Sequence, residues 1–128
     1  MDMKQGKIII SGGRYPEHNE LETANILITL GYDITFLTES RTEGAKNADI
    51  EMNGVIWEMK RPMGKSKQTI KKIFERATKQ SDSIILDMRS SKLSKAESIA
   101  KIEKEWYSRR NIRRLFVIYE GKILDYHR

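Results

Sequence analysis

Residues 49–60 read DIEMNGVIWEMK, and the architecture of the chain hangs on how they pair. Polar and apolar residues alternate on both sides of Asn53-Gly54, the pattern of two strands joined by a two-residue turn. Such a turn takes positive φ at both central positions, which Asn and Gly tolerate. Alternate residues of a strand share a face. On the first strand Asp49, Glu51 and Asn53 fall on one side, with Ile50 and Met52 opposite. On the second, Ile56, Glu58 and Lys60 fall on one side, with Val55, Trp57 and Met59 opposite. The apolar side is the expected core face, and pairing is expected to bring Asp49, Glu58 and Lys60 together on the other.

Outward from the hairpin, the periodicity predicts further elements. Residues 1–16 read as a leader or linker, with at most a short strand at 7–10. A helix is expected from Glu17 to Leu30, with acids in its first turn and Gly31 as its stop. "YDITFLT" reads as a strand and "ESRTEGAKN" (39–47) as a polar loop. After Pro62 and Gly64, Ser66 can cap a helix running to Gln80, with Ile70, Ile73, Phe74 and Ala77 as its apolar stripe. "SIILDM" (83–88) is a continuous apolar run of the kind found in buried central strands. Ser94 and Glu97 form a capping box that opens a helix to Arg109. Two strands, "RLFVIYE" and "KILDYH", close the chain around Gly121. The expected order is α-β-β-β-α-β-α-β-β, an α/β (α+β) fold on one mixed sheet flanked by helices.

Composition narrows the chemistry. A chain of 128 residues with 38% hydrophobic content holds one domain with a single core, here residues 17–128. No apolar run approaches a membrane span, and "IIIS" is too short for the apolar region of a signal peptide. Cysteine is absent, and His18 and His127 are the only histidines, which excludes disulfide frameworks and thiolate or multi-histidine metal sites. Any metal falls to carboxylates, which favours Mg²⁺ or Mn²⁺. The net charge of +6 and pI near 9.5 lean toward polyanionic partners.

Two carboxylates held close repel unless a cation or a proton lies between them. A divalent metal on Asp49 and Glu58 would relieve that repulsion, polarise a phosphate and lower the pKa of a bound water. Lys60 would then orient the water or stabilise charge on the phosphorane. These residue types suit phosphodiester cleavage. From the pattern alone, however, the solvated face of an ordinary amphipathic hairpin is the better account. Lys65, Lys67, Lys71, Lys72 and Arg76, around the start of one helix, are candidates to track a phosphate backbone or an ordinary solvated face in about equal measure. Tyr107, Arg109, Arg110, Arg113 and Arg114 are a second candidate surface for nucleic acid, against the account that basic residues suit a helix C-terminus for dipole reasons alone. Trp57 and Trp106 sit at core phases.

Asp49 followed by "EMK" (58–60) resembles the core motif of the PD-(D/E)xK nucleases, with Ala48 in place of the motif's Pro. "ETANILITLGYDITFL", "ADI" with "NGVIWEMKRPMGKSKQTI", and "ATKQSDSIILDMR" resemble the C-terminal toxin domain of contact-dependent growth inhibition effectors, the CdiA-type tRNase family. The similarity runs over roughly residues 17–125. It implies a toxin endonuclease that cleaves RNA, specifically tRNA, with Asp49, Glu58 and Lys60 catalytic and Asp49 and Glu58 binding metal. The family's helix acid, counted back from Gly31, falls on Glu22, with Glu20 in reserve. The resemblance also implies a cognate immunity protein, and secretion as the C-terminal part of a larger bacterial effector that acts in the target-cell cytoplasm. No membrane partner is expected, and apart from the immunity complex the domain is expected to be a monomer. A DNA endonuclease of the same fold, or an inactive nucleic-acid-binding module, are the alternatives.

Overall fold

A computed structural model describes residues 4–39, 47–66 and 68–128. Most of the expected polar loop, residues 40–46, and Lys67 of the basic helix lie outside the described residues. The chain forms a seven-stranded mixed sheet, with strands hydrogen-bonded in sequence order, and three α-helices among the described residues. It divides into two compact units, Met1–Trp57 and Glu58–Arg128.

The first unit contains β1 (Ile8–Ile10), α1 (His18–Thr29), β2 (Ile34–Phe36), β3 (Ile50–Met52) and the start of β4 (Val55–Lys60). β1 runs parallel to β2, with α1 as the connection; β2, β3 and β4 are successively antiparallel. The hairpin register pairs Ile50 with Trp57 and Met52 with Val55. Asn53 and Gly54 take φ of 55° and 75°, as a type I′ turn requires. Ile50, Met52 and Trp57 are buried with Ala24, Leu27, Ile34 and Phe36, so the expected core face of this part is the observed one. The segment read as a leader is built into this unit. Gly6 N–H donates to Ile28 O at 2.7 Å, and Arg14 is only 7% exposed.

The second unit carries the rest of β4, α2 (Thr69–Ala77), β5 (Ser83–Asp87), a 3₁₀ turn (Met88–Ser90), α3 (Lys95–Ser108), β6 (Arg114–Tyr119) and β7 (Lys122–His127). β4, β5 and β6 are parallel, and β7 returns antiparallel to β6. All five residues of β5 are buried, as its unbroken apolar run predicts. The core cluster joins Ile84, Leu86, Leu115 and Val117 of the sheet to Ile70, Phe74 and Ala77 of α2 and to Ile102 and Trp106 of α3. Ser94 Oγ accepts the Glu97 N–H at 3.2 Å and starts α3 where the capping box places it. α2 starts three residues later than its predicted cap: Gln68 holds the N-cap position, and the Ser66 hydroxyl accepts the Gln68 N–H at a long 3.4 Å.

β4 departs from the simple two-faced hairpin. Trp57, Glu58 and Met59 are all buried in succession, so the strand is covered on both faces here. The register pairs Glu58 with Ile84 and Lys60 with Leu86. Registered residues of parallel strands share a face, so Glu58 and Lys60 point to the side packed by α2 and α3. A strand that enters a parallel sheet has helices over it, and its polar residues no longer face open solvent.

Candidate active site

On β4, the i, i+2 spacing puts Glu58 and Lys60 side by side on one face. Lys60 Nζ stands 3.2 Å from Glu58 Oε2, with the glutamate side chain 6% exposed and the lysine 31%. The pair lies toward the C-terminal ends of parallel strands, where open α/β sheets commonly form sites. Next in register, Asp87 ends β5 fully buried, and its carboxylate accepts the Arg89 N–H at 3.1 Å and Arg89 Nε at 2.9 Å. Alternation turns Asp87 to the opposite face from Lys60. The sequence reading passed over Asp87; its one signal is an acid closing an otherwise apolar run.

In the first unit, Asp49 is fixed by its backbone. Its N–H donates to Trp57 O, and its carbonyl accepts the Leu37 N–H, both at 3.0 Å. Its carboxylate faces Arg14, whose Nη2 lies 3.5 Å from Asp49 Oδ1 and 2.6 Å from Glu20 Oε2. Arg14 Nη1 reaches Glu39 Oε1 at 3.0 Å, and the guanidinium lies 5.7 Å from the centroid of the Phe36 ring. Glu20 also holds the helix start, since its Oε1 accepts the Glu17 N–H at 2.9 Å. Burial, and then the Asp49 carboxylate, raise the Glu20 carboxyl above its usual 4.5, against the Glu17 N–H and Arg14, which pull it down.

Glu22 is placed differently. Residues i and i+2 of a helix point in widely different directions, so α1 cannot aim both acids the same way. Glu20 goes to Arg14 and Asp49; Glu22 Oε1 lies 2.7 Å from Nε2 of the exposed His18. The structure therefore joins Glu58 to Lys60, and Asp49 to Glu20 through Arg14. Arg14 was missed, because an isolated arginine between Gly13 and Pro16 carries no periodicity. Among the described residues, no cluster of three or more Asp, Glu, His or Cys side chains stands ready to hold a metal ion.

Comparison with known proteins names the family. The profile of the contact-dependent growth inhibition CdiA C-terminal domain matches residues 46–123, more than half of the chain. The chain belongs to the CdiA C-terminal domain family. In this CdiA C-terminal domain the matched segment contains Asp49, Glu58 and Lys60, whereas Arg14, Glu20 and Glu22 precede it. Its fold resembles that of a solved structure described as the CdiA-CT/CdiI toxin and immunity complex from Burkholderia pseudomallei. That likeness has a TM-score of 0.72 at 20% identity, over 96% of this chain and 100% of the other. At such identity the likeness is one of fold. No curated protein matches significantly.

Proposed function

We propose that this CdiA C-terminal domain is a toxin endonuclease that cleaves RNA, with tRNA as its substrate, and that a cognate immunity protein neutralises it. The observation that carries the reading is the Glu58–Lys60 pair on β4, 3.2 Å apart with Glu58 buried. Burying a carboxylate costs several kcal/mol, of order, even when it is paired, so a strand interior that retains one has a use for it. The tRNA assignment rests on the family resemblance.

Lys60 donates to a non-bridging oxygen of the scissile phosphate and stabilises the charge that develops on the phosphorane. Glu58 holds the ammonium in place. By the family resemblance alone, Asp49 and Glu58 would be the residues to hold Mg²⁺, an ion that accepts oxygen-only donors such as carboxylates. Bound there, Mg²⁺ supplies Lewis-acid polarisation of the phosphate and lowers the pKa of a coordinated water. In hydrolysis the water oxygen bonds to phosphorus, one P–O ester bond breaks, and the leaving oxygen takes up a proton. Glu20 shares Arg14 with Asp49, and Glu22 stands as the helix acid on the family resemblance alone.

A second route has its own support. Arg14 already provides a cation to Glu20 and Asp49, and Glu20 has a raised pKa. Those features suit attack by the RNA 2′-hydroxyl on the adjacent phosphorus: the 2′-oxygen gives up its proton to a base and bonds to phosphorus, the P–O5′ bond breaks, the 5′-oxygen takes up a proton, and a 2′,3′-cyclic phosphate forms. The domain would arrive as the C-terminal part of a larger effector and act in the cytoplasm of the target cell.

Total RNA is digested with the purified domain in Mg²⁺ or EDTA, beside Lys60→Ala. Discrete tRNA fragments, lost in the variant and in EDTA, support metal-assisted hydrolysis. Fragments with cyclic phosphate ends that persist in EDTA select the 2′-hydroxyl route. Intact RNA with nicked plasmid DNA would replace the substrate, and binding without cleavage of either would leave only a nucleic-acid-binding module.

A further inference from the structure

A cleft of 760 Å³ opens between α2 and α3, in the second unit. Gln68 and Lys71 line it from one side, and Lys101, Lys104, Ser108 and Arg109 from the other. Positions 101, 104, 105 and 108 repeat at helical spacing, so α3 presents this set along one continuous face. Lys71, from the basic segment around α2, and Arg109, from the one at the end of α3, thus share a single concavity with Lys101 and Lys104. Arg109 is tethered by Glu105 Oε2 at 3.5 Å and Glu75 Oε1 at 4.0 Å. Lys71, Lys101 and Lys104 make no ion pair among the described residues. The lining therefore sets four cations against one carboxylate, Glu105, which is already turned to Arg109.

We infer that this cleft seats the phosphate backbone of the RNA strand that the domain cleaves. The inference rests on the proposed ribonuclease reading and adds to it the surface that holds the substrate. Like charges that converge without partners repel, and a phosphodiester chain relieves that repulsion with the release of its counterions. Hydroxyl and amide groups such as those of Ser108 and Gln68 are usual companions of Lys and Arg on phosphates. A protein partner is the weaker fit, because interface cores are depleted in Lys and enriched in aromatic and apolar side chains, and Ile70 is the one apolar residue in this lining. The cleft holds position without reading bases, and α2 is the first helix after the strand that carries Lys60.

The test measures binding of fluorescein-labelled tRNA by Lys60→Ala over a range of salt. Lys71→Gln, Lys101→Gln and Lys104→Gln are added singly and together, with folding checked by thermal melts. Each substitution is expected to lower the slope of log Kd against log salt by about 0.7 to 0.9, and the triple by about 2 to 3. In the cleavage-competent protein the same changes raise KM and leave kcat in place. The single variants carry the test if the triple one unfolds. An unchanged slope, with tRNA cleavage intact, overturns the cleft and leaves the ribonuclease reading standing. A reduced slope in a protein that cleaves no RNA keeps the cleft and removes the ribonuclease. Loss of immunity-protein affinity with an unchanged RNA slope assigns the cleft to that partner and overturns the inference.

Discussion

At Arg14 a nearly buried guanidinium faces the carboxylates of Glu20, Glu39 and Asp49, and at Lys60 a half-buried ammonium faces Glu58. Removing either cation strands acids in low dielectric, with different consequences. Arg14→Met is expected to destabilise the fold by about 3 kcal/mol at neutral pH, the scale for breaking a buried pair from one side. Urea denaturation measures it, and a loss below ~1 kcal/mol would make Arg14 incidental. The Glu20 carboxyl adds a pH signature. Its value is raised mainly by burial, so the folded state holds a proton that the unfolded chain has already lost. Its stabilising contribution is therefore full below the ordinary 4.5 and disappears as pH rises through the raised value. Glu20→Gln keeps an acceptor for the Glu17 N–H and should flatten stability across that window; urea midpoints that still vary with pH as in the parent would refute this. Lys60→Ala is expected to slow tRNA cleavage by about 100-fold or more, the scale of losing one charge-stabilising donor, read as initial rates on folded protein.

The elements are set by local chemistry wherever that chemistry is specific. The β3–β4 turn needs left-handed backbone at both central residues, and a Cβ on Gly54 would meet nothing within 4 Å. Gly54→Ala should therefore cost only the backbone term, about 1 kcal/mol; a much larger loss in chemical denaturation would point to contacts not apparent at the turn. Gly6 is the opposite case. A Cβ there would lie 1.8 Å from Tyr32 O, a backbone atom that has no room to yield. Gly6→Ala is expected to cost about 2 kcal/mol or more and to loosen the β1 edge, measurable as faster amide exchange at Ile34, whose N–H donates to Lys7 O at 2.8 Å. Unaltered exchange would mean that the segment before β1 does not hold that edge. β5 needs no such device, since five consecutive buried residues leave it one place to go.

For the molecule as a whole, a charge of +6 governs encounters more than folding. Polyanionic substrate and an acidic inhibitor surface would both be drawn by the same field. Association with the immunity protein should accordingly slow by about tenfold or more as salt is raised past physiological strength. Stopped-flow mixing measures this, and a salt-independent rate would rule out an acidic docking face. The basic groups are not spread evenly: Arg113 and Arg114 are answered by Asp82 and Asp125, whereas the lysines facing the α2–α3 cleft have no ion-pair partner among the described residues.

Much of the architecture follows from residues a few positions apart: the Asn53-Gly54 turn, the apolar run of β5, the stripe of α2 and the Ser94 cap. Each depends on backbone preference or on a period of two or 3.6, and the sequence carries that information locally. The same holds for Glu58 and Lys60, because two residues apart on a strand is already side by side. What lay beyond the sequence were contacts between residues with no periodic relation. Arg14 meets Asp49 across a helix and a strand, and Glu20 is the α1 acid that shares Arg14 with it. Glu58 is buried because helices cover the second half of β4, which the alternation of a lone hairpin does not encode. The meeting of Lys71 with Lys101, Lys104 and Arg109 in one cleft likewise waits on the packing of α2 and α3. Local pattern assigns each side chain a face; only tertiary packing decides what that face meets.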